Sequence, residues 1–164
     1  IINYNSIKMK KILVFLLSFP VLASAQWKGK TSNDDQRTMM IQRHMDLYPK
    51  NDQSQLKNIF LADSKINVNG VNVISPAELA DFEKLHHKIF KNITFEIGAN
   101  ITSKYENGQI WTHVWAWWTG EGKKSKKTTS IPVHLAFKWD GMKSNQAYFM
   151  FDPTFINSEI ALNN

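Results

Sequence analysis

Past Asn92 the apolar pattern changes from a helical period to a period of two and keeps it to Pro153. Successive side chains of an extended chain point to opposite faces, so this pattern specifies strands. Four are expected, at residues 93–105, 109–119, 128–139 and 146–153. The links between them (106–108, 120–127 and 140–145) are short and polar, and glycines stand at Gly108, Gly120, Gly122 and Gly141. Long strands joined by short links pair antiparallel as a meander.

The chain before Asn92 reads as helices. Asp34 or Asp35 can cap a helix over 36–48, with Met40, His44, Leu47 and Tyr48 on one face and Ile41 and Met45 beside them. Pro49, Asn51 and Asp52 end it. A shorter helix over 54–61 has Leu56, Ile59 and Phe60 as its apolar side. Residues 63–73 read as a short strand, a tight turn at Asn69-Gly70 and irregular chain. Ser75-Pro76-Ala77-Glu78 is a capping box with proline at the first helical position. The helix it opens runs to Lys91 with Leu79, Phe82, Leu85, Ile89 and Phe90 as its buried stripe, and Glu83, Lys84, His87 and Lys88 mostly outside that stripe. Helices beside a long meander make an α+β fold, a single domain over 35–164 with helices on one face of a curved antiparallel sheet.

Residues 9–25 have the parts of a secretory signal peptide: Met9-Lys10-Lys11, an apolar run from Ile12, and Ala23-Ser24-Ala25 as the cleavage site. The run is too short for the roughly 20 residues that a bilayer span needs, so no stable membrane insertion is expected after cleavage. Residues 1–8 read as translated upstream sequence, and residues 26–34 as a flexible arm. The expected location is periplasmic or secreted. Formal charge is +6 for the whole sequence and nearer +3 once Lys8, Lys10 and Lys11 leave. Much of that excess is the run Lys123-Lys124-Ser125-Lys126-Lys127, a solvated loop tip, and no nucleic-acid partner is expected. With no cysteine, disulfides, thiol catalysis and Cys-based metal sites are excluded.

Residues 109–119 (QIWTHVWAWWT) carry the densest chemistry. Alternation puts Trp111, His113, Trp115 and Trp117 on one face, and Thr112, Val114, Ala116 and Trp118 on the other. Three indoles and an imidazole can wall a small-molecule pocket, or they can fill a core or a dimer interface. On the next strand Thr129, Ile131, Val133, Leu135, Phe137 and Trp139 share the face that should meet the helices, which turns His134 away toward solvent or a partner subunit. Asp152 stands at the end of an aromatic strand. Desolvated there it would have a raised pKa and suit general acid–base work; alternatively it begins a turn or caps the segment after Pro153. His86 and His87 are adjacent and project about 100° apart on a helix, so they cannot chelate one metal together. His44 reads as a core-edge histidine. No Ser-His-Asp order, HExxH, glycine-rich phosphate loop or EF-hand loop is present, and neither cofactor nor metal is expected.

The layout, with Phe60-Leu61-Ala62-Asp63 and Val68-Asn69-Gly70, then Trp115 to Gly122, Phe137 to Lys143 and Tyr148 to Asp152, resembles the nuclear-transport-factor-2-like superfamily and its SnoaL-like (polyketide-cyclase-like) branch, over about 35–161. The resemblance implies a cone: a strongly bent sheet around a long helix, an apolar cavity at the wide end, and a homodimer through the outer sheet face. It also implies that an Asp inside the cone, with a His or Tyr, can shuttle protons near a carbonyl. Asp152 is similar in place to the Asp that closes the family's last strand, with His113 or Tyr148 assisting. No His adjoins this acid, which departs from the family's ending.

The sequence supports three readings. The first is an exported binding or accessory protein whose cavity, lined by Trp111, Trp115 and Trp117, takes a small apolar or cyclic ligand. The second is a cofactor-free isomerase, cyclase or dehydratase with Asp152 as general acid–base. The third is a structural dimer with a filled cone. The exported form should begin at Gln26: sequencing its N-terminus should read Gln26-Trp27-Lys28, and a secreted form retaining Met9 would contradict the cleavage.

Overall fold

In the computed structural model, which describes residues 29–163, Asp35 caps the first helix by accepting from the Arg37 backbone N–H at 2.8 Å. The signal-peptide segment lies outside the described residues. The arm contributes a short strand, β1 (Lys30–Ser32), where only loose chain is expected. Helix α1 (Gln36–Leu47) continues into a single 3₁₀ turn, Tyr48–Lys50, which closes on Asn51 in the left-handed region. The expected helix over 54–61 is reduced to one turn, α2 (Leu56–Ile59), because Phe60 already opens β2 (Phe60–Val68). Asn69 and Gly70, both at positive φ, turn the chain into β3 (Asn72–Ile74). The capping box is present: Ser75 N donates to Glu78 Oε2 at 2.7 Å, and Glu78 N donates to Ser75 Oγ. It opens α3 (Pro76–Ile89).

The meander comprises β4 (Phe90–Lys104), β5 (Ile110–Gly122), β6 (Thr128–Asp140) and β7 (Lys143–Phe151). A last helix, α4 (Thr154–Asn163), is absent from the sequence-based expectation. One seven-stranded sheet results, in the order β1-β4-β5-β6-β7-β2-β3, antiparallel except where β2 lies parallel to β7. Strand β4 bends it. Its register with β5 shifts between Lys91 and Thr94, where Asn92 has positive φ, and again between Ile97 and Ala99. Such irregularities increase twist and bend the strand. The helices lie in the concavity, where Ile41, Ile59, Ile66, Leu79, Val114 and Phe137 are almost fully buried.

Two polar features tie this body together. Trp139 Nε1–H donates to Thr112 Oγ1 at 2.8 Å, Thr112 and Thr102 share a hydrogen bond at 2.6 Å, and Thr102 and Thr38 share one at 2.7 Å. This buried relay runs from β6 through β5 and β4 to α1. At the other end, the fully buried Glu159 of α4 accepts from Lys124 N at 2.6 Å and from Ser125 N, which places its carboxylate in the β5–β6 loop. Burial acts to raise its carboxyl, but the hydrogen bonds from the Ser125 side chain and from the Lys124 and Ser125 backbone outweigh it and hold the carboxyl below the usual range. Gly122 packs beneath: an added Cβ would collide with Glu159 Oε2 and Ser125 Oγ.

The hydroxyl relay yields a stability prediction. Thr112→Val keeps the shape but strands the Trp139 N–H and the neighbouring threonine, and should cost about 1–3 kcal/mol. Urea unfolding of the variant against the parent measures it; an unchanged midpoint would show that the relay contributes nothing.

Candidate functional site

Helices α1 and α3 each place polar groups in an otherwise apolar stripe. His44 and Tyr48 stand four residues apart, and Glu83 and His86 three apart, so each pair shares one helical face. Both faces turn into the cone. There they meet Phe95, Trp118, Val133, Phe149 and Phe151 from the sheet and Ile156 from α4, around a cavity of about 70 Å³. At the roughly 30 Å³ that one water takes in the liquid, this is room for about two waters. A wider depression of about 840 Å³ between α1 and β4 is lined by Gln42, Arg43, Asp46 and Asn100 among others, but the smaller cavity holds the buried titratable groups.

Two hydrogen-bonded groups form its polar corner. His44 Nε2 lies 3.0 Å from Glu83 Oε1, with both side chains nearly excluded from solvent. Trp118 Nε1–H donates to Tyr48 Oη at 2.9 Å, and Tyr48 Oη lies 2.6 Å from His86 Nδ1. Burial pushes the Tyr48 phenol up, so it stays protonated, and burial lowers His86 to about 4. Phe82 packs edge-on against the His86 ring at 4.3 Å between centroids. Trp118 lies across Gly120, where a Cβ would stand 2.5 Å from the indole. His44 Nδ1, Glu83 Oε2 and His86 Nε2 are buried without a hydrogen-bond partner among the described residues. Native proteins leave few such atoms, and three of them belong to side chains lining one cavity.

The residues singled out from the sequence lie elsewhere. Trp111, His113, Trp115 and Trp117 face outward, and Trp115 and Trp117 are 46% and 49% exposed. The expected pocket wall is therefore turned away from the enclosed cavity, and of its indoles Trp115 borders the wider depression between α1 and β4. Cross-strand partners share a face, and the register pairs Val114 with Leu135, Ala116 with Val133 and Trp118 with Ile131. Apart from Trp118, the side chains that β5 turns to the crowded concave side are small, and its other large rings take the open one. Tyr148 is outside too, 6.1 Å from Trp111 between ring centroids. His134 turns away from the helices as expected and stacks on His113 and Trp115 at 5.6 and 4.9 Å. Burial lowers both histidines, and for His113 the neighbouring His134 adds to it.

Asp152 is exposed, and its carboxylate accepts from the Thr154 backbone N–H at 2.9 Å at the start of α4. Those hydrogen bonds with Thr154 lower its pKa, the reverse of the expected shift. Asp152 thus makes the turn around Pro153 that leads into α4, and the structure brings Asp152, His113 and Tyr148 into no common cavity. Glu83, expected mostly outside the stripe, is buried inside the cone, and His44 faces the cavity. A signal for this was present. Leu79, Glu83, His86 and Phe90 recur at helical spacing, so two polar residues interrupt an apolar stripe on its own line.

No protein-family model matches the chain, and no curated protein does. Solved structures do. A protein with a ketosteroid isomerase-like fold from Catenulispora acidiphila, in complex with trimethylamine, is 11% identical with a TM-score of 0.58, covering 75% of this chain and 92% of that one. A protein described as a SnoaL-like polyketide cyclase from Jannaschia is 11% identical with a TM-score of 0.61, over 77% of this chain and 92% of that one. IdmH from Streptomyces antibioticus, described as a polyketide cyclase, is 10% identical with a TM-score of 0.57, over 77% and 99%. The chain has the SnoaL-like, ketosteroid-isomerase-like α+β fold.

The cavity electrostatics predict a pH dependence. The unfolded His86 imidazole titrates near 6.5 and the folded one near 4, so the folded state binds fewer protons between them. Stability is full above about pH 6.5 and falls toward pH 4, by about 3 kcal/mol from this group. NMR titration of the imidazole protons should show His86 unprotonated down to about pH 4; a midpoint at 6.5 or above would contradict its burial.

Proposed function

We propose that this chain is an exported small-molecule-binding protein whose ligand, small and mainly apolar, occupies the cavity between α1, α3 and the concave face of the sheet. The observation that carries this reading is the set of three buried, unpartnered polar atoms on His44, Glu83 and His86 within aromatic and aliphatic walls. A few convergent polar groups in an apolar concavity are what orients a small ligand. The complex of a similarly folded protein with trimethylamine supports small-molecule binding by such a cone. Export rests on residues 9–25, and a homodimer would use the outer face that exposes Trp115 and Trp117.

A second reading is favoured by the buried Glu83–His44 pair. A carboxyl group and an imidazole 3.0 Å apart in a largely apolar cavity can accept a proton and return it. The cofactor-free isomerase, cyclase or dehydratase reading then rests on Glu83 and His44, not on the solvent-facing Asp152.

A thermal-shift panel of small carbonyl compounds and alcohols tests both. A true ligand at a hundred times its Kd should stabilise the protein by about 2.7 kcal/mol. Val133→Phe, which fills the cavity, should abolish the shift, and Trp115→Ala on the outer face should not. The opposite pattern would move the site to the convex surface. Glu83→Gln separates the readings: a binder keeps its shift, whereas an enzyme loses exchange of the ligand's α-hydrogen with deuterated solvent.

A further inference from the structure

We infer that Trp118 and Tyr48 lock His86 in the tautomer carrying its hydrogen on Nε2, making the cavity a receptor for a compact neutral carbonyl compound with a neighbouring hydroxyl. This rests on the cavity being a ligand site and names what it takes.

The hydrogens of the polar corner can be assigned one by one. An indole has one N–H and no acceptor, so Trp118 must donate to Tyr48 Oη, 2.9 Å away. The Tyr48 hydroxyl has one hydrogen, and among the described residues its one remaining neighbour able to accept is His86 Nδ1, at 2.6 Å. Were Nδ1 to carry the hydrogen instead, the Tyr48 hydrogen would be buried without an acceptor, which costs about 1–3 kcal/mol. The arrangement that satisfies all three groups runs from the Trp118 N–H to the Tyr48 hydroxyl to His86 Nδ1. A neutral imidazole has a single N–H, and here it is on Nε2, the buried atom with no partner. His86 therefore carries a buried, unpartnered donor on a side chain that lines the cavity.

Glu83, one turn earlier on α3, is engaged with His44 through Oε1 and retains Oε2 without a partner. His44 Nδ1 is free as well. The polar corner thus presents a fixed donor beside the Glu83–His44 pair, which can take a hydrogen from a ligand. A carbonyl oxygen fits the first and a hydroxyl the second. A ligand carboxylate would stand against Glu83, and an alkylammonium would meet the His86 N–H with no acceptor. A cavity of about 70 Å³ limits the molecule to a handful of non-hydrogen atoms. Hydroxyacetone has this chemistry in a small frame.

Two measurements test this on the full chain. Two-bond ¹H–¹⁵N correlation spectra of the free protein at neutral pH read the tautomer directly, with the His86 signals assigned by their loss in His86→Gln. The expected pattern is a pyrrole-type Nε2 and a pyridine-type Nδ1; the reverse overturns the inference and leaves the cavity-binding reading intact. Titration with hydroxyacetone should then shift the His86 Nε2 and Trp118 Nε1 signals, more tightly than acetate or trimethylammonium. Tyr48→Phe should mix the tautomers and weaken hydroxyacetone roughly tenfold, the worth of about one hydrogen bond, whereas Trp115→Phe should not. Preference for either ion overturns the ligand class. If no probe of any charge shifts a cavity signal, the binding reading falls while the tautomer result stands by itself.

Discussion

A sheet bent far enough to wrap a helix has very unequal faces. The concave side must pack against α1 and α3 at close range, and the convex side is open. This asymmetry decides the phase of every strand. It sends Thr112, Val114 and Ala116 inward, each almost completely buried, and leaves the bulky rings of β5 outside. Close packing penalises extra volume in a filled interior, so three indoles and an imidazole could not share the inner face with the helices. The single large inward ring of β5, Trp118, is accommodated where Gly120 opens space beneath it.

Much of the architecture was legible because it is written in local chemistry. The Ser75–Glu78 box, the Asp35 cap and the period of two after Asn92 each act over a few residues, and each is found where expected. The polar corner was not legible in the same way. Alternation separates the two faces of β5 but does not say which one is inner. That depends on register with β6, a relation between residues far apart in sequence. The inward face of β6 was identified correctly from its own pattern, and the register would have carried it across to Trp118. Glu83 was misplaced for a related reason. Charge argues for solvent, and only the arrival of His44 from another helix makes burial tolerable. Asp152 reads as a strand-end acid because α4 has little amphipathic pattern to announce it, and a turn residue leading into that helix then resembles the end of a strand.

The outer and inner aromatic sets therefore have different chemistry despite similar composition. Outside, Trp111, His113, Trp115 and His134 form a ladder of stacked rings open at its edges. Inside, Tyr48, Phe82, Phe95 and Trp118 enclose a small space and surround titratable groups whose hydrogens have few destinations. In such surroundings hydrogen-bond direction becomes determinate, since a misdirected hydrogen would be buried without an acceptor. The SnoaL-like fold supplies the container; the residues that line it decide what it can hold.

The Glu159 contact changes the status of the chain's far end. Its carboxylate occupies backbone amides of the Lys124–Ser125 loop, and Ile156 on the same helix forms part of the cavity wall. Helix α4 is thus a stitched panel of the compartment. An affinity tag fused inside that panel, or a shortened expression variant, would leave the lysine hairpin unmoored and the chamber open on one side.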